Sequence, residues 1–104
     1  MAKKQNKVLN IAKKYVKLLN NQGFDIISAY LFGSYANNKQ HEWSDIDLAV
    51  ISDKFEGVRF NDKEKLRGIY RKVDDRLSIL PLNPDSLDDM FIQSEVIRKG
   101  IKII

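Results

Sequence analysis

Two short runs carry the chemistry this sequence can offer: Gly33-Ser34 and, after ten intervening residues, Asp45-Ile46-Asp47. Residues two apart on a strand point the same way and lie about 6.6 Å apart, so the carboxylates of Asp45 and Asp47 can converge on one ion. Magnesium is the natural candidate, because it takes hard oxygen ligands, keeps several waters and completes its shell with substrate phosphates. The Gly-Ser pair supplies the complementary half. Glycine lets a backbone come close to a ligand, free N–H groups at the start of a following helix attract phosphate, and the Ser34 hydroxyl adds a donor. Together the two runs predict a grip on a nucleoside triphosphate and its metal. Taken alone, an Asp-x-Asp usually marks a solvated strand edge or a turn cap, and Gly-Ser is weaker still. The weight lies in their spacing, the apolar runs on both sides, and Ser44 directly before Asp45.

The elements that must position these residues are legible as apolar patterns. Ile26 to Phe32, bounded by Gly23 and Gly33, reads as a buried strand feeding the Gly-Ser turn. Ser34 to about Asn38 is expected as a short helix, and Asn37 to Ser44 as a polar loop. Asp45 to Ser52 then alternates Asp45, Asp47 and Ala49 on one side with Ile46, Leu48 and Val50 on the other, a strand with a polar and an apolar face. Before this unit, Val8, Ile11, Ala12, Tyr15, Leu18 and Leu19 predict an amphipathic helix from about Lys4 to Asn21, stopped by Gly23. After it, Asp53 to Asn61 is loop-like, and Leu66, Ile69, Tyr70 and Val73 place a second helix over about Asp62 to Val73. Leu77 to Leu82 is read as a third strand closed by Pro81 and Pro84, with Asp85 or Ser86 capping the next turn. Leu87, Met90, Phe91, Val96 and Ile97 give short helical turns before Gly100, and Ile101 to Ile104 returns as an edge strand. This order predicts an α+β fold, a sheet with helices packed against it.

Composition narrows the possibilities. At 104 residues the chain is expected to form one domain, 1–104, with a single core that a bound partner could complete. Charged residues at 31% and hydrophobic ones at 43% are ordinary globular values and argue against disorder or a membrane protein. With no cysteine, a disulfide framework and a thiolate metal site are excluded, and the lone His41 leaves little for a zinc cage, so any metal is expected to be oxygen-bound. Met1 to Asn10 is polar and lysine-rich without the apolar core of a signal peptide, so the expected location is the cytoplasm and no membrane partner is expected. The net charge of +4 is uneven, since Lys3, Lys4, Lys7, Lys13, Lys14 and Lys17 all precede the first acid, Asp25. These lysines lack interleaved base-stacking aromatics, so they are read as a solvated helix face, and nucleic acid is not the expected partner.

The runs Leu31-Phe32-Gly33-Ser34-Tyr35-Ala36 and Ser44-Asp45-Ile46-Asp47-Leu48-Ala49-Val50 closely resemble the Gly-Ser-x10-Asp-x-Asp pattern of the minimal nucleotidyltransferases, within the superfamily of polymerase beta and kanamycin nucleotidyltransferase. The resemblance continues through Leu80-Pro81-Leu82-Asn83-Pro84-Asp85 and Ile97-Arg98-Lys99-Gly100-Ile101, and so covers nearly the whole chain. It implies a mixed β-sheet of polymerase-beta-like form. It also implies transfer of a nucleoside monophosphate, AMP foremost, from a triphosphate such as ATP to an acceptor. Asp45 and Asp47 would then be the catalytic metal ligands, with Gly33 and Ser34 on the phosphates. Free-standing members are often encoded beside a HEPN-domain partner and act as its antitoxin, in some cases by attaching AMP to it.

The family's third acidic residue, on the strand after the third helix, aligns with Ser78. Asp75 falls on the other face, and Asp74 has the right parity but lies roughly 13 Å back along an extended chain, so only a register shift or bulge would bring it in. The chain could therefore bind nucleotide and neutralise a partner by contact, without turnover. Near Tyr35 and Asn37 or Asn38 the family often has arginine and glycine; asparagine tolerates a left-handed turn, but a phosphate contact is lost. His41 and Trp43 are read as surface packing, with no role assigned.

Overall fold

The computed structural model describes residues 3–33, 45–55, 66, 68–69, 73–74 and 76–104. They form a helix α1 (Lys3–Asn21), strands β1 (Ser28–Phe32), β2 (Ile46–Ile51) and β3 (Leu77–Leu82), a 3₁₀ helix at Pro84–Asp88, a π-helical segment at Ile92–Arg98, and a strand β4 (Ile101–Lys102). The sheet order is β3-β2-β1-β4. β1 runs antiparallel to both β2 and β4, whereas β2 and β3 are parallel, which makes the sheet mixed and the fold α+β. A parallel pair needs a crossover, and Leu66, Gly68 and Ile69 are helical within that connection; the rest of the helix expected over Asp62 to Val73 lies outside the described residues.

α1 buries Val8, Ala12, Tyr15, Val16 and Leu19 against Ala29, Leu31, Ile46, Leu48, Val50, Leu77 and Ile79 on one face of the sheet. Val16, which the expected stripe omits, takes a place in it, while Ile11 and Leu18 are only half-buried on its flanks. At the helix end Gly23 adopts φ +89, and its N–H reaches the Asn20 carbonyl while the Phe24 N–H reaches the Leu19 carbonyl. That pair of bonds is a Schellman motif, with glycine in the left-handed position it requires. Asn20 Oδ1 then accepts from the Ile26 N–H at 2.7 Å, so the chain is still turning at Ile26 and β1 starts at Ser28, two residues later than the apolar run.

The second face carries Ala49, Ile51 and Leu82, with Tyr30, Phe32 and Leu80 beside them, all covered by Ile92 and Val96 of the π-helical segment. The supposedly polar face of β2 is therefore polar only at its Asp45–Asp47 end. Pro81 does not close β3 but sits inside it. The Ile46 N–H bonds the Arg76 carbonyl and the Ser52 N–H bonds the Leu82 carbonyl, so even-numbered residues of β3 face β2 and Pro81's missing N–H falls on the open edge. The cap of the 3₁₀ helix is Asn83 rather than Asp85 or Ser86: its side chain accepts from the Ser86 N–H at 3.0 Å, with Pro84 in the first turn. Asp89 Oδ1 accepts from the N–H groups of Phe91 (2.8 Å) and Ile92 (3.2 Å), which starts the next turn so that Ile92 and Val96 face inward while Met90 and Phe91 are exposed. β4 pairs with β1 at the far edge, as expected for the last residues. Among the described residues no helix is long and apolar enough to cross a membrane.

Candidate active site

The site is built where β1 ends and β2 begins. Antiparallel pairing puts Phe32 opposite Asp47, and Gly33 comes next with φ +73. A Cβ on Gly33 would overlap Asp47 Oδ2 and come within 3.1 Å of Cγ and 3.3 Å of Cβ. The Asp47 carboxylate thus occupies the space that the missing side chain leaves, and glycine is required twice, for its backbone angle and for this approach. Asp45 stands exposed one residue before β2, and Asp47 is half-buried within it. Burial, and then the charge of Asp45, push the Asp47 carboxyl above the ordinary carboxylate value. A cation placed between the two would relieve both effects.

On the other side of Asp47, the parallel ladder places Ser78. Paired residues share a sheet face, so the half-buried Ser78 hydroxyl belongs to the same row as Asp47 and Phe32. Asp74 is held elsewhere. Its Oδ1 accepts from the Arg76 N–H at 2.8 Å and from Nε at 3.2 Å, and its Oδ2 accepts from Nη2 at 3.1 Å. The side-chain bond to Arg76 holds the Asp74 carboxyl below the usual range, outweighing partial burial. The ladder runs from Ile46 opposite Leu77 to Ile51 opposite Leu82 without a bulge, so the rearrangement that would bring Asp74 to the row is not made.

Ser34, Tyr35, Asn37, Asn38, His41, Trp43, Ser44 and Asp75 lie outside the described residues. Among the described residues no group of three or more acidic, His or Cys side chains gathers to hold a metal. One feature is missed by the sequence reading, the Asp74–Arg76 clasp. An Asp-x-Arg step just before an apolar run is the available signal for the clasp, since Asp side chains bond backbone two residues on.

A mixed sheet with one carboxylate against a glycine turn and a second two residues before it is the candidate site, and comparisons with known proteins name the family. The polymerase beta, nucleotidyltransferase family matches residues 13–104. The chain belongs to that family as a minimal nucleotidyltransferase, and the family generally uses divalent metal ions. A Methanocaldococcus jannaschii protein with the provisional name protein adenylyltransferase is 30% identical over 97 residues, covering 93% of this chain and 90% of that protein. Among solved structures, a chain of a toxin-antitoxin complex with AMP-PNP superposes with a TM-score of 0.61 at 26% identity, covering 89% of this chain and 72% of its own. A provisionally named nucleotidyltransferase from Sulfolobus solfataricus shares the fold, with a TM-score of 0.62 at 22% identity over 81% of this chain and 74% of its own.

Two carboxylates two residues apart at the start of β2, one exposed and one half-buried, form a hard-oxygen donor set whose chemistry fits such an ion.

Proposed function

We propose that this protein transfers AMP from ATP, with magnesium, to a hydroxyl group on a partner protein, and that the partner is a HEPN-domain toxin for which it serves as antitoxin in the cytoplasm. The observation that carries this is the Asp47 carboxylate seated against Gly33, with Asp45 two residues earlier, just before the strand begins. The name of the Methanocaldococcus jannaschii relative supports adenylyl transfer, and the toxin-antitoxin neighbour with AMP-PNP supports both the nucleotide and the setting.

In this reading Asp45 and Asp47 hold the metal, and Gly33 and Ser34 receive the triphosphate. When bound, the metal supplies charge neutralisation and orients the phosphates. Gly33, lacking a Cβ, leaves the space that the Asp47 carboxylate occupies, and Phe32 is the cross-strand partner of Asp47. The acceptor oxygen forms a bond to the α-phosphorus, the bond from that phosphorus to the β-phosphate's bridging oxygen breaks, and pyrophosphate leaves with the electron pair. The hydroxyl proton passes to water.

Ser78 favours a second reading, in which the chain binds nucleotide but neutralises its partner by contact, with slow or no transfer. Labelled ATP, magnesium and the protein encoded beside this chain distinguish the two. Label on the partner, lost in Asp45→Asn, is expected. No label with any nucleotide, together with a tight complex unaffected by Asp47→Asn, would establish the contact mode.

A further inference from the structure

We infer that the side chains of this protein hold one divalent cation, and that a second enters only with the phosphates of a bound nucleotide, because the strand position beside Asp47 is Ser78. This rests on the reading of Asp45 and Asp47 as metal ligands. The β2–β3 ladder is uninterrupted and pairs Asp47 with Ser78, so the neighbouring ligand position on the same face carries a hydroxyl. A hydroxyl lends a lone pair but no charge. Asp74, the nearest described acid upstream, is committed to Arg76 through three hydrogen bonds. Two carboxylates balance one divalent cation. A second ion about 4 Å away brings strong repulsion into a half-buried site and needs further anionic oxygen, which a triphosphate carries.

Manganese is the probe, counted on the full chain by titration and by electron paramagnetic resonance, where two close ions give a dipolar signal that one ion cannot. Without nucleotide, wild type should bind one equivalent and show no dipolar signal; with a non-hydrolysable ATP analogue that signal should appear. Ser78→Asp should bind two equivalents and show the signal without nucleotide. Asp74→Asn should keep one equivalent, and Asp47→Asn should weaken the single ion at least tenfold. A dipolar pair in nucleotide-free wild type overturns the inference, as does a change of count in Asp74→Asn or a single ion in folded Ser78→Asp. The wild-type comparison with and without analogue stands even if Ser78→Asp fails to fold. No manganese bound under either condition, with Asp47→Asn indistinguishable, overturns the metal-ligand reading itself.

Discussion

Asp47 is a residue whose charge the fold opposes and whose proposed role as a metal ligand requires that charge. Burial and then Asp45 raise its folded pKa above 3.8, so the neutral carboxyl contributes stability that is fully present below that value and is lost as pH rises through the folded value. At pH 7 the group is a net cost. Asp47→Asn should therefore melt at or above the wild-type temperature at neutral pH, with the gap closing on acidification, while label transfer falls by roughly 100-fold or more. Thermal melts at pH 7 and pH 4 beside an activity assay check both arms; a marked loss of stability at pH 7 would contradict this account of the residue. Gly33 shows the opposite pattern. Gly33→Ala meets a left-handed φ and the Asp47 carboxylate at once, so it should lose about 1–2 kcal/mol of stability and also weaken manganese binding, measured by melts and titration.

The elements explain which parts of this arrangement are legible in the sequence and which are not. β3 is legible to the residue because Leu77 to Leu82 is a short apolar run, and its pairing with β2 matches Asp47 with Ser78. The end of β1 is equally clear at Gly33, but its start is hidden because Ile26 and Ile27 are apolar without being in the strand: Ile26 is tied to Asn20, and Ile27 is 53% exposed. Helical periodicity misleads at the C-terminal cover. Met90 and Phe91 look like core residues, yet the turn begun by Asp89 rotates them outward and brings Ile92 and Val96 in. Ile92→Ala should accordingly cost about 2–4 kcal/mol in denaturant unfolding, whereas Met90→Ala at 84% exposure should change little. The clasp at the entry to β3 is hidden for another reason, since the parity of Asp74 marks it as a candidate ligand and masks its part in the turn. Its folded pKa is lowered, so its stabilisation is present above 3.8 and is lost as pH falls through the depressed value. Asp74→Ala should cost roughly 1 kcal/mol at pH 7 and progressively less in acid, with manganese binding unaltered.

Across the whole molecule, the sheet separates two kinds of charge. Asp47 lies on the face shared with Ala49 and Ile51, while α1 packs on the opposite face through Ile46, Leu48 and Val50. The lysines Lys7, Lys13, Lys14 and Lys17 are exposed on α1, so they project from the far side of the sheet from the carboxylates. Screening reduces interactions between exposed charges beyond about 8 Å at physiological salt, so the net charge of +4 should not translate into attraction at the site. A ligand that binds only the folded state at ~100 times its dissociation constant adds about 2.7 kcal/mol, which for a chain of this size raises the melting temperature by on the order of 10 °C. Magnesium with a non-hydrolysable ATP analogue should produce that shift in wild type and not in Asp47→Asn. Substituting Lys13, Lys14 and Lys17 together by Gln should leave the shift intact and change nucleotide affinity by no more than about twofold. A large loss of affinity in the lysine variant, growing at low salt, would mean that α1 reaches the triphosphate. The basic helix would then belong to the site and not to the solvated back of the fold.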